Sequence, residues 1–261
     1  MSVVKHRRPE APHALPMEAA GLVWLAEAES SGGTRIARAR MVGDDLHVDR
    51  VIEARPTPER AEALGRSLAH LHAAGAEWHC CPPPGAPEPW EVGSSRTPLS
   101  GQVVGDGGWG EAWAATALRP VLDRSRSRFG VDDQRLLDHV IDRMAAGDFD
   151  VPQPALVRGP VARLHGDLWA GNVLWSDVDT GAVLIDPHAQ GGHAETDLAM
   201  LDLFGAPHLE RVFAAYDEVS PVAEGWRERL PMQQLQPLLV HTLLFGGGYA
   251  RQAVAVARRL A

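Results

Sequence analysis

The chain has 261 residues, enough for one large core or two smaller ones joined by a hinge. Hydrophobic residues make up 45% and charged residues 23%, an ordinary globular composition, and no apolar run approaches the ~18 residues of a membrane span. The formal charge of −9 argues against nucleic acid as the main partner, although a nucleotide can still be held by a local site.

The opening segment MSVVKHRRPEAP has basic residues but no apolar stretch behind them, which is not the pattern of a secretory signal; a cytoplasmic monomer is the default expectation. The only cysteines, Cys80 and Cys81, are adjacent, so they supply neither a disulfide framework nor zinc-ligand spacing. They read as incidental thiols in a Pro-rich loop.

Lys5 follows two valines, and a helix is expected from about Pro16, where Leu22, Val23, Leu25 and Ala26 form an apolar face that Ser30 to Gly33 bring to a stop. In a kinase-like small lobe, a strand lysine pairs with a glutamate on the next helix and holds nucleotide phosphates, which makes Lys5 and Glu18 candidates. Taken alone, both also read as solvated surface charges. Ile36–Val42, a GDD turn and Leu46–Ile52 predict a β-hairpin running into a hinge at Glu53–Pro56. An amphipathic helix is predicted over Pro58–Ala74, capped by Thr57 and closed by Gly75, with His72 on its apolar face as a core histidine lacking an acid partner. Residues 78–108 are crowded with Pro, Gly and Ser and read as a long functional or mobile loop. Helical patterning returns over Glu111–Ser127 and Asp132–Ala146, and again after Thr196.

The chemically dense stretch is RLHGDLWAGNVLW, Arg163 to Trp175. Asn172 follows Asp167 by five residues, and eleven residues beyond Trp175 a β-like run delivers Asp186. Two acids and an amide beside short strands suit a hard cation such as Mg²⁺, which takes one or two protein carboxylates and fills its other positions with phosphate and water. Phosphoryl transfer to a hydroxyl needs a base at the acceptor and ligands for that metal. Asp167 fits the base; Asn172 and Asp186 fit the ligands. The bland alternative is that Asp167 and Asn172 cap a turn. His165 is expected to brace the loop rather than move protons. A second class is a metallohydrolase built from His165, Asp167, Asp186, His188 and His193, but it leaves Asn172 without a role.

Three segments, LHGDLWAGNVLW at 164–175, IDPHAQGGHAETDLAML at 185–201 and GWRERLPMQQLQPLLVHTLLFGGGY at 225–249, resemble the fructosamine (ketosamine) kinases, within the aminoglycoside phosphotransferase-like branch of the protein-kinase-like fold. The likeness is close over residues 151–253 and looser at Glu18–Leu22, Leu64–His72 and Trp109–Trp113. It implies an α+β, two-lobed protein: a small β-rich nucleotide lobe over residues 1–53 and a mainly helical catalytic and substrate lobe over 54–261. It further implies ATP- and Mg²⁺-dependent phosphorylation of a sugar hydroxyl on a ketosamine, small or protein-bound. Asp167 would be the base, Asn172 and Asp186 would hold Mg²⁺, and Asp197 would brace the catalytic loop. Lys5 and Glu18 become the phosphate-holding pair, and the segment around Asp49, Arg50 and Val51 the adenine-binding hinge. Trp169 and Trp226 are candidates to line the acceptor site, with core packing as the alternative for each.

Two departures stand out. The family carries a Gly-rich hairpin ahead of the lysine, whereas four residues precede Lys5 here, so either the start lies upstream or activity is impaired. The 78–108 loop does not follow the family pattern, and Ala194 stands where arginine is common. A kinase of another hydroxylated amine, such as an aminoglycoside, and a nucleotide-binding relative of impaired activity are therefore the alternatives.

Overall fold

The computed structural model describes residues 2–105 and 108–261; Asp106 and Gly107, inside the predicted 78–108 loop, lie outside the described residues. Strand β1 (Ser2–Lys5) is followed by helix α1 (Ala14–Ala26), which starts two residues before the expected position. Then come β2 (Arg35–Ile36), β3 (Ala39–Val42) and β4 (Asp45–Asp49). β1, β4 and β3 form an antiparallel sheet in that order, with Lys5 opposite Leu46. The expected hairpin is thus real over Ala39–Asp49, but its boundaries differ. Ile36 leaves it to pair in parallel, as β2, with Leu184. Ile36 is fully buried beside Leu184, and that burial, not the hairpin's alternation, decides its pairing.

Helix α2 (Pro58–Ala73) begins as expected: Thr57 is extended, its Oγ1 accepts from the Arg60 amide at 3.3 Å, and Pro58 occupies the first turn, where a missing N–H costs nothing. The 78–108 segment contains a short hairpin, β5 (Glu91–Val92) with β6 (Thr97–Pro98). Both cysteines beside it are buried, and burial pushes the Cys80 thiol up to about 12, so it is an inert core group.

The helical part follows: α3 (Trp109–Trp113), a single π-turn, α4 (Arg119–Ser125) and α5 (Val131–Ala145). The strands β7 (Ala162–Leu164), β8 (Val173–Trp175), β9 (Ala182–Leu184) and β10 (Gln190–Gly192) come next. The chain ends with α6 (Glu195–Phe204), α7 (Leu209–Val219), α8 (Trp226–Gln233), α9 (Leu235–Phe245) and α10 (Gly248–Leu260). A small sheet-rich N-terminal part thus precedes a mainly helical one. β8 and β9 pair as a hairpin, β2 adds to β9, and β7 pairs with β10. The 165–172 loop therefore leaves β7 and enters β8, with its two ends held in separate small sheets.

Two cores support this frame. One runs from α1 and the N-terminal strands through Leu64, Leu68 and Leu184 to Phe213 and Tyr216. The other packs α4, α5, α9 and α10 around Leu122, Leu137, Ile141 and Leu239. In α5 the buried positions Leu137, Val140, Ile141 and Met144 recur at helical spacing, so one face is core and the other solvent.

Helices α2 and α7 pack most extensively, and Gly65 is the reason they approach so closely: a Cβ there would overlap the Val212 carbonyl oxygen. Gly65→Ala should force the pair apart and cost about 1–3 kcal/mol, read as a lower denaturation midpoint at unchanged m-value.

Burial also fixes a pH response. His165 and His193 are buried, and burial lowers both below the usual imidazole range; His79 is lowered to about 4 by burial and by neighbouring His193. An unfolded chain takes up protons on these rings below about pH 6.5, whereas the folded one resists, so stability present above that pH declines on acidification. Urea midpoints should fall between pH 7.5 and 5.5, and His165→Gln or His193→Gln should flatten that fall.

Candidate active site

Gly166, Asp167, Trp169 and Asn172 of the 163–175 stretch line a cleft of about 630 Å³ between the sheet-rich part and α6 and α9. Asp167 is half-buried at its floor. Asn172, which is buried, donates Nδ2 to the Asp167 carbonyl at 2.8 Å and to Asp167 Oδ2 at 3.1 Å. That orientation spends the amide donor on the loop and turns the Asn172 carbonyl oxygen away from it. Asp186 leaves β9 with φ +54°, a backbone conformation that few non-glycine residues adopt, and its carboxylate lines the same cleft.

Lys5 meets this floor from above. Its Nζ lies 2.6 Å from Asp186 Oδ1 and 2.8 Å from Glu18 Oε1. Burial works against the ammonium, but the hydrogen bonds it donates to Asp186 and Glu18 outweigh this and hold Lys5 above its ordinary value. Glu18 is pushed up by burial, with Lys5 offsetting part of the shift. A position that looked equally like a solvated surface charge is thus an ion triad at the cleft wall.

Under the loop lies a buried polar network. Asp197 accepts from the His165 amide at 2.7 Å through Oδ2 and from the Gly166 amide at 2.9 Å through Oδ1. His72 Nε2 bonds the same carboxylate at 3.1 Å, and its Nδ1 meets the Tyr216 hydroxyl at 2.8 Å. Burial raises the Asp197 carboxyl, but His72 and these amides more than reverse this and hold it below the usual range. His72 therefore has an acid partner, contrary to expectation. The partner is 125 residues away in sequence, and only the rule that a fully buried polar side chain is hydrogen-bonded could have hinted at it. Gly166, at φ +79°, makes the turn possible: a Cβ would overlap the His188 carbonyl oxygen.

The histidines do not form a metal cluster. His165 donates Nε2 to the Ile185 carbonyl at 2.9 Å and accepts the Asp167 amide at Nδ1. His193 is likewise engaged by the Pro152 carbonyl and the Glu195 amide. With both ring nitrogens used in each, neither is available as a ligand. Among the described residues no group of three or more His, Cys, Asp or Glu could hold a metal ion. The oxygens of Asp186 and Asn172 at the cleft floor instead suit a hard cation that completes its shell with phosphate and water.

Trp169 lines the cleft beside Asp167. Trp226 does not: it is buried in the core, edge-on to Phe213 with centroids 5.1 Å apart. Asp49, Arg50 and Val51 also stand outside the cleft, bordering a separate groove with Arg35–Arg38 and Ser176–Val178. The β5–β6 hairpin and Phe204, His241 and Phe245 line the cleft without having been singled out as site residues. Their signal in the sequence was weak, since a loop and the end of an apolar helix carry no motif chemistry.

A sequence model described as Fructosamine kinase matches residues 3–261. The probable ketoamine kinase of Thermus thermophilus is 34% identical over 247 residues, 95% of this chain and 82% of its own length. Among solved structures, a candidate fructosamine-3-kinase from Thermobifida fusca superimposes with a TM-score of 0.82 at 40% identity, over 98% of this chain and 84% of that one. A choline kinase from Streptococcus pneumoniae, at 13% identity and a TM-score of 0.60 over 99% of this chain and 85% of its own, shares the fold alone. The architecture is thus the two-lobed protein-kinase-like one, and the chain belongs to the fructosamine kinase family.

Proposed function

We propose that the protein transfers the γ-phosphoryl group of ATP to a sugar hydroxyl of a ketosamine, the adduct of a reducing sugar with an amine. The observation that carries this reading is the convergence of Asp167, Asn172, Asp186, Lys5 and Glu18 on one cleft, in a chain matched end to end by its family. Residues 1–53 are taken as a nucleotide lobe and residues 54–261 as a catalytic lobe; Asp49–Val51, bordering a separate groove, are left out of the nucleotide site.

In this mechanism Asp167 orients the acceptor hydroxyl and takes its proton as the oxygen–phosphorus bond forms and the bond to the departing ADP breaks. Asn172 keeps the Asp167 carboxylate aimed into the cleft through the 3.1 Å hydrogen bond. Lys5, steadied by Glu18, is placed to hold donor phosphate oxygens. Asp186 and the Asn172 carbonyl oxygen would hold Mg²⁺, which when bound offsets the charge of the phosphates. Asp197 fixes the loop that carries the base, so the reacting geometry is set before substrate arrives.

Asp167→Ala should lower kcat by about 10²–10⁴-fold in an ADP-release assay while leaving the melting temperature near that of the parent. Undiminished turnover would overturn the assignment of the base. Independently, Asn172→Ala and Asp186→Ala should each lose the rise in melting temperature that Mg²⁺ and a non-hydrolysable ATP analogue give the parent chain, because a ligand stabilises only in proportion to its binding. An unchanged rise in both variants would remove these residues from the metal site.

A further inference from the structure

Among the described residues the exposed Trp, Phe and Tyr side chains are Trp169, Phe204 and Phe245, and all three line the cleft. They are arranged in sequence. Trp169 meets Phe204 edge-on at 6.1 Å between centroids, Phe204 meets His241 at 5.3 Å, and His241 meets Phe245 at 5.5 Å. Leu244, 40% exposed, adjoins the far end, where Phe245 is 68% exposed. Helix α9 stops there because Gly246 and Gly247 both take positive φ, and its last apolar residues, Leu244 and Phe245, line the cleft, Phe245 also meeting Tyr249 of α10 at 6.3 Å between centroids.

Exposed apolar area of this kind, continuous and beginning two residues from the base, marks a binding surface. One ring is enough to cover the cationic amine of a ketosamine. From that ring the wall continues through three further ring contacts, so it offers apolar surface to whatever substituent that amine carries. A cationic substituent finds no free carboxylate there. The carboxylates lining the cleft are Glu18, Glu91, Asp167 and Asp186. Glu18 and Asp186 share Lys5, Glu91 holds Arg96 at 2.7 Å, and Asp167 is bonded to Asn172. Beyond the wall, the guanidinium of Arg128 lies against Gly246, and it repels a cation.

Resting on the ketosamine kinase reading, we propose that the Trp169–Phe204–His241–Phe245 wall selects ketosamines whose amine carries an apolar or aromatic substituent, with the sugar at Asp167 and the substituent on Phe245 and Leu244. Phe245 is then a specificity-determining residue.

The test uses three fructose adducts of the intact chain's proposed substrate class, made from benzylamine, ethanolamine and 1,4-diaminobutane, with ADP release as the readout. The benzylamine adduct should exceed the other two in kcat/KM by about tenfold or more, the difference residing in KM, as expected for a substituent bound equally in ground and transition states. Phe245→Ser, a change at a mostly exposed position, should reduce that ratio at least to about a third of its parent value. Val131→Ser, an exposed valine on α5 outside the cleft, should leave the ratio where it was. Equal kcat/KM for the three adducts, or a ratio unmoved by Phe245→Ser, would overturn the preference while leaving the kinase reading intact. No phosphorylation of any adduct would overturn both.

Discussion

A single buried carboxylate holds the reaction centre together. Asp197 sits beneath the 165–172 loop with an oxygen on each of two successive backbone amides and His72 on its flank. A buried carboxylate without donors costs several kcal/mol, so the loop that supplies those amides is confined to the one conformation that satisfies it. That conformation needs a glycine at 166 and directs Asp167 into the cleft. The network reaches α7 through Tyr216 and α2 through His72, so the loop's shape is anchored in the closest helix pair of the molecule. Rigidity at the base thus comes from packing remote from it.

The cleft has two chemically distinct walls. Lys5, Glu18 and Asp186 make one of them ionic and suited to phosphate and a divalent cation. Trp169, Phe204, His241 and Phe245 make the other aromatic. Asp167 lines the same cleft, and the proposed phosphoryl transfer between a polyanionic donor and a less polar acceptor would use both walls.

The convergence of the motif residues on one cleft was legible because their spacing is local: Asp167 and Asn172 are five residues apart, and Asp186 follows just after β9. Helices α2 and α5 were legible for the same reason, through a cap and an apolar stripe. What stayed hidden depended on distant pairing. Ile36 read as part of a hairpin because alternation cannot tell which strand will cover it, and its partner Leu184 lies far along the chain. His72 read as a core histidine because no acid lies near it in sequence. Trp226 shows the reverse limit: an aromatic residue in a family segment looks the same whether it faces a ligand or, as here, Phe213. Exposure of Phe204 and Phe245 followed from how α6 and α9 end beside one another, a tertiary fact that composition cannot contain.

The β5–β6 hairpin touches both halves of the reaction. Its residues Glu91–Ser95 and Thr97 line the cleft, while Val92, with Leu99 just beyond the hairpin, packs on Met17, the residue next to Glu18 on α1. On the proposed reading, an acceptor that shifted the hairpin would press on the helix that steadies Lys5, and a donor that drew Lys5 and Glu18 inward would press back through the same contact. Mutual influence of this kind is symmetrical by thermodynamic necessity: whatever factor one substrate applies to the other's affinity is returned in full.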